Sequence, residues 1–128
     1  MKLPEYDEIH FWQLTQSEFE LSELLGHTGW LTQDESARLR RFQYPRHKRQ
    51  LLLGRILLRS VLSRYMPAVT PQQWRFSYNQ HGKPEIESSL LDTELFFNLS
   101  HSGDRIVLAV ARQREIGVDI EFNKRSRR

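Results

Sequence analysis

Between residues 95 and 122 the chain alternates apolar runs with polar breaks. The runs are Leu95 to Leu99, Arg105 to Ala111 and Ile116 to Phe122, and the breaks contain Ser102-Gly103-Asp104 and Arg112-Gln113-Arg114-Glu115. Short apolar runs cut by turn formers predict strand, turn, strand, turn, strand. The longest helical pattern lies upstream, from Arg46 to Met66. There Leu51, Ile56 or Leu58, Val61 or Leu62 and Tyr65 keep helical spacing, and the leucines at 51, 52, 53, 57 and 58 widen the apolar face. A helix of that kind is expected to lie centrally against the sheet. The expected fold class is α+β, an antiparallel or mixed sheet packed on a long central helix. Gly54 inside the helix costs about 1 kcal/mol relative to alanine and predicts close packing against another backbone. Arg55 and Arg59 lie four apart on one side, where a solvated or snorkelling edge is expected.

The rest of the chain supplies shorter elements. Glu8 to Leu14 reads as a first strand, with Ile9 and Phe11 on one face and Trp12 and Leu14 on the other. Ser17-x-x-Glu20 is a capping box for a short helix through Leu21, Leu24 and Leu25 that Gly26 can close. Thr32-x-x-Glu35 is a second one, opening a helix through Ala37, Leu39 and Phe42 that must end near Tyr44 because Pro45 follows. Thr70-Pro71-Gln72-Gln73 is a cap with proline at the first helical position, and Trp74 to Asn79 alternates as a strand with its three aromatics on one face. Gln80-His81-Gly82 reads as a turn that presents Lys83 and Pro84.

At 128 residues the chain makes one domain at most. Nineteen Lys plus Arg against sixteen Asp plus Glu leave a formal charge of +3, a balance that favours an anionic ligand. With no cysteine, disulfides, thiol chemistry and cysteine-based zinc sites are excluded. No apolar run reaches the length of a membrane span, and Met1-Lys2-Leu3-Pro4-Glu5 lacks the hydrophobic core of a signal, so a soluble cytoplasmic protein is expected.

Two groups of residues could carry chemistry. In the last strand a period of two sets Ile116, Val118 and Ile120 on one face and Gly117, Asp119 and Glu121 on the other, with the carboxylates about 6 to 7 Å apart. Two hard oxygen ligands beside a glycine suit Mg2+ that also binds a substrate phosphate; the same residues would serve as the solvated face of an antiparallel strand. Ser100 and His101, with Asn98 on the face of Ser100, could hydrogen-bond a phosphate, or could be ordinary polar turn material. Arginines from Arg38 to Arg59, the aromatic strand and the tail Lys124-Arg125-Ser126-Arg127-Arg128 admit a small basic nucleic-acid-binding domain, provided the aromatics form a stacking platform and not a buried face.

The run Phe97-Asn98-Leu99-Ser100-His101-Ser102-Gly103, followed by Gly117-Val118-Asp119-Ile120-Glu121 and preceded by His81-Gly82-Lys83-Pro84, resembles the 4'-phosphopantetheinyl transferases of the surfactin-synthetase type, the two-half branch of that superfamily. The three motifs stand in the family's order and the resemblance covers essentially the whole chain. It implies one half of a pseudo-twofold fold. It also implies coenzyme A as co-substrate, Mg2+ as the metal, and an apo acyl or peptidyl carrier protein as the partner whose serine hydroxyl attacks the β-phosphate, with no membrane and no nucleic acid involved.

By position, the resemblance makes Asp119 and Glu121 metal ligands. Ser100 and His101, with Asn98 and Leu99 beside them, become contacts to the coenzyme's phosphates. Gly82, Lys83 and Pro84 form the loop near the adenine nucleotide, and Arg38, four before Phe42, becomes the basic residue that reaches the 3'-phosphate. The family's second half brings a Trp-x-x-Lys-Glu motif, whereas Trp12, Trp30 and Trp74 are followed by other residues and Lys-Glu occurs nowhere. Residues 1–112 are thus expected to be the N-terminal half-domain and 113–128 the opening strand of a second half with a basic tail. The resemblance then assigns no catalytic residue to this half, and the chain alone is expected to transfer poorly or to serve only as a coenzyme- or carrier-binding module. It is also expected to self-associate through the face meant for its other half.

Overall fold

A computed structural model of the chain describes residues 2–78, 80, 84–87 and 95–112. The third apolar run with Asp119 and Glu121, the residues Gly82 and Lys83, and the basic tail lie outside the described residues. In chain order the elements are β1 (Ile9–Thr15), α1 (Leu21–Leu24), α2 (Gln33–Arg41), α3 (Pro45–Tyr65), β2 (Phe76–Tyr78), β3 (Pro84–Ile86), β4 (Phe96–Ser102) and β5 (Arg105–Ala111). β1, β5 and β4 form one antiparallel sheet in that order, and β2 and β3 form a separate antiparallel pair.

The α+β expectation holds. Period-two alternation in β5 sends Ile106, Leu108 and Val110 into the core, and Trp12 and Leu14 of β1 share that side. Opposite them α3 buries Leu52, Leu53, Leu58, Val61 and Leu62, each at 3% exposure or less. Each such side chain contributes about 1.5 to 3 kcal/mol relative to leaving it in water. Phe11, on the other face of β1, is 62% exposed. Pro45 stands in the first turn of α3, where its missing N–H is harmless and its fixed φ suits the helix. The β4–β5 turn uses Gly103 at a φ of 57°, a conformation that disfavours any residue with a Cβ.

Several local expectations are corrected. Ser17 does not cap α1: Glu20 does, in a reciprocal box with Glu23, while the Ser17 hydroxyl and N–H both donate to the Asp104 carboxylate. Gly26 does not close that helix, because the chain runs on as a 3₁₀ turn from Leu25 to Trp30. The helix opened by Thr32 stops at Arg41, with Phe42 already extended. Gly54 faces a side chain instead of a backbone: a Cβ there would stand 3.4 Å from Leu99 Cδ2. The largest departure is electrostatic. Arg55 and Arg59 are not a solvated edge but are buried, at 6% and 0% exposure.

Their counter-ion is Glu35. One carboxylate oxygen accepts the Thr32 N–H at 2.9 Å, completing the capping box, and also takes the Arg59 guanidinium; the other lies 3.0 Å from Arg55 Nε. A residue that reads as a surface cap therefore doubles as the anion of a buried triad. Burial draws the Arg59 pKa down and the Glu35 charge opposes that pull. The other end of α3 carries an aromatic cluster, in which Tyr65 OH takes the Trp12 indole N–H at 3.1 Å and shares a 2.6 Å hydrogen bond with His10 Nδ1.

Candidate functional site

Of the positions singled out from sequence, Arg38, Pro84, Asn98, Leu99, Ser100 and His101 fall within the described residues. Arg38 projects from α2 into solvent while its neighbour Leu39 is buried. Pro84 opens β3 opposite Tyr78. Asn98, Leu99 and Ser100 are half-buried in β4, and His101 is exposed near its end. Ser100 and His101 are adjacent in a regular strand, so they project to opposite faces: Ser100 pairs with Val107 and His101 with Ile106. The two side chains therefore share no face of the sheet and meet only around the strand's edge. β4 stands at the end of the strand order among the described residues.

The segments that bear these residues are tied together. Phe76 of β2 meets Phe97 of β4 edge to face, with ring centroids 5.8 Å apart. The Arg59 guanidinium also lies over the Phe76 ring, 5.1 Å from its centroid. Arg59 also donates to the Trp74 carbonyl at 3.2 Å and pairs with Glu35, one turn before Arg38 on α2. A cavity of about 470 Å³ opens between α2 and the β2–β3 pair, lined by Thr32, Asp34, Arg75, Tyr78 and Glu87 among others.

The aromatic strand is shorter than its sequence suggests and is not a stacking platform. Trp74 is fully buried with its indole N–H on the Ser63 hydroxyl at 2.8 Å, Phe76 is held between Arg59 and Phe97, and Tyr78 alone of the three is exposed. That removes the main support for base stacking.

Sequence reading counted the arginines from Arg38 to Arg59 together and did not single out the start of α3. From Ser36 to Pro84 there is no Asp or Glu, while eleven Lys and Arg occur, a signal that was available from the order of charges. Arg46 lies over the Tyr44 ring, 5.2 Å from its centroid. The Gln16 side chain bonds Gln50 at 3.1 Å, and the Gln16 N–H bonds the Asp104 carbonyl at 2.7 Å. These contacts set the start of α3, with Arg46, Lys48 and Arg49, at the same end of the sheet as the β4–β5 turn and His101. Among the described residues no three acidic or histidine side chains form a metal-binding group, and no helix is long and apolar enough to cross a membrane.

Residues 11–113 match the family described as 4'-phosphopantetheinyl transferase, N-terminal. The 4'-phosphopantetheinyl transferase HetI of Nostoc sp. (strain PCC 7120) is 41% identical over 118 residues, which cover 91% of this chain and 48% of that protein. The 4'-phosphopantetheinyl transferase Sfp of Bacillus subtilis (strain 168) is 35% identical over 95 residues, covering 74% and 40%. AcpT of Escherichia coli (strain K12), another 4'-phosphopantetheinyl transferase, is 40% identical over 79 residues, covering 62% and 34%. The chain spans about half the length, or less, of these curated relatives.

Proposed function

The chain belongs to the 4'-phosphopantetheinyl transferase family, and from that premise we propose that it supplies the coenzyme A-binding half of an enzyme that moves phosphopantetheine to a carrier protein. In the reaction a carrier serine Oγ bonds to the β-phosphorus of coenzyme A, the bond from that phosphorus to the departing oxygen breaks, 3',5'-adenosine diphosphate leaves, and the serine proton passes to a base. The observation that carries this reading is the tie between α2, the β2–β3 pair and β4, the three segments that bear Arg38, Pro84 and Asn98 to His101.

Arg38 is assigned to the 3'-phosphate, where its forked donors suit phosphate geometry, and its solvent exposure leaves it available. Ser100 and His101 donate to the pyrophosphate around the edge of β4, with Asn98 and Leu99 shaping that edge. Gly82, Lys83 and Pro84 are assigned to the adenine nucleotide. Asp119 and Glu121, hard oxygen donors, are the residues that would hold Mg2+, which when bound would draw negative charge off the pyrophosphate. Residues 1–112 serve as the N-terminal half-domain and 113–128 as the opening of a second half. The sequence contains no Trp-x-x-Lys-Glu, so these residues bind coenzyme A and transfer its phosphopantetheine poorly by themselves. Self-association through the exposed Phe11 face belongs to the same reading and would appear in sedimentation as dimers.

Calorimetry with coenzyme A tests the binding half. Mg2+-linked binding that Asp119→Ala weakens is the expected result, and no binding with or without Mg2+ would refute it. Mass spectrometry of an apo carrier protein incubated with coenzyme A, Mg2+ and the chain tests the rest: little loading is expected, and full loading would overturn the division of labour.

A further inference from the structure

We propose that Arg59 is the positioning residue of the coenzyme site, holding three separate binding segments in register through the ring of Phe76. The inference rests on the binding reading above. Arg59 is 0% exposed and touches no solvent, so it contacts no ligand itself. Its guanidinium reaches three segments at once: Glu35 of α2, the Trp74 carbonyl at 3.2 Å, and the face of Phe76 in β2, with its carbon 5.1 Å from the ring centroid. Phe76 passes the contact on to Phe97 of β4 at 5.8 Å. Glu35 lies one turn before Arg38, β2 leads to the pair that Pro84 closes, and Phe97 directly precedes Asn98 to His101. Every described segment with an assigned coenzyme contact is thus within two contacts of one planar cation.

The chemistry explains why arginine fills the position. Lysine offers a point charge that can pair Glu35, but it lacks the flat fork that bonds a carboxylate and a carbonyl while stacking on a ring. The triad also carries two cations against one anion. The Arg55 contact is an ion pair without hydrogen-bond alignment, so Arg59 is the member whose geometry is specified on several sides. A purely structural salt bridge would need Glu35 alone. The ring and the carbonyl add the β2–β3 pair to the link.

The test uses the 128-residue chain, coenzyme A with Mg2+ as the titrant, and thermal melting measured in parallel. Phe76→Leu, which leaves the Glu35–Arg59 pair intact, is expected to weaken coenzyme A binding about tenfold, and Phe76→Tyr, which keeps the ring, to stay within about twofold of wild type. Arg59→Lys should weaken binding at least as much as Phe76→Leu, and it decides the question if the leucine variant does not fold. Tyr65→Phe is the stability control, lowering the melting temperature without changing affinity. Affinity that merely follows melting temperature across the four variants, or a Phe76→Leu chain that binds like wild type, overturns the positioning role and leaves the binding reading standing. Failure of the wild type to bind coenzyme A overturns both.

Discussion

The two halves of α3 carry the same residue type under opposite conditions. Near its start Arg46 is exposed over the Tyr44 ring, with Lys48 and Arg49 beside it and no acid in the sequence around them. About two to four turns later Arg55 and Arg59 are buried against Glu35 of α2. The difference lies in Glu35, twenty and more positions away, which pairs with both members of one set and does not reach the other. Burial of an arginine is set here by a distant partner, and Arg46, which Glu35 does not reach, stays at the surface.

Removing that partner is the severest way to break the contrast. Glu35→Gln preserves shape but leaves two guanidiniums facing each other out of water, and should cost about 3–5 kcal/mol in urea unfolding. A loss below about 1 kcal/mol would mean that the buried cations are solvated after all. At the far end of α3, Tyr65→Phe strands the Trp12 N–H and should cost about 1–2 kcal/mol. Burial raises the Tyr65 pKa above its ordinary 10.0, so its contribution is complete below pH 10 and fades as pH climbs through the higher folded value. Wild type should therefore lose stability more steeply than Tyr65→Phe in alkali, and equal slopes would contradict the buried phenol.

Gly54 sits where the helix passes from one condition to the other. Gly54→Ala should gain up to about 1 kcal/mol of helix propensity, because the Leu99 methyl at 3.4 Å can yield by a rotamer adjustment. A clear loss would show that β4 is seated more rigidly than that contact implies. Smallest in stability is Arg46→Ala, within about 0.5 kcal/mol of wild type. Its effect should appear instead as a shallower salt dependence of coenzyme A binding, and an unchanged slope would detach the basic corner from the ligand.

Much of this was legible in the chain. The capping box at Thr32, the cap at Thr70, the proline before the long helix and the alternation in Arg105 to Ala111 encode local structure, and local structure is what period and turn chemistry report. The strands at Phe96 and Arg105 follow from the same signals. The Glu35 triad was not legible, because a glutamate at the third position of a helix reads as a cap and a lone arginine among leucines reads as a snorkelling stem. Only tertiary packing brings them within reach of each other. Ser17 misled for a related reason, since its hydroxyl found Asp104, far along the chain, before it found its own helix. As for the site, the identities of Arg38, Pro84 and Asn98 to His101 came from motif resemblance, while the links that hold their segments together required coordinates.

The pairing of Thr15 with Arg105 has a consequence during synthesis. At about 5–20 residues per second, the first strand waits on the order of 5 to 20 seconds for a partner roughly ninety residues behind it. Its core-facing Trp12 and Leu14 lack the cover of that strand through the interval, while the long helix between the two strands can already coil. Newborn chains should therefore be most vulnerable to aggregation just before residue 111 clears the ribosome, and slowing translation over that span would lengthen the exposure.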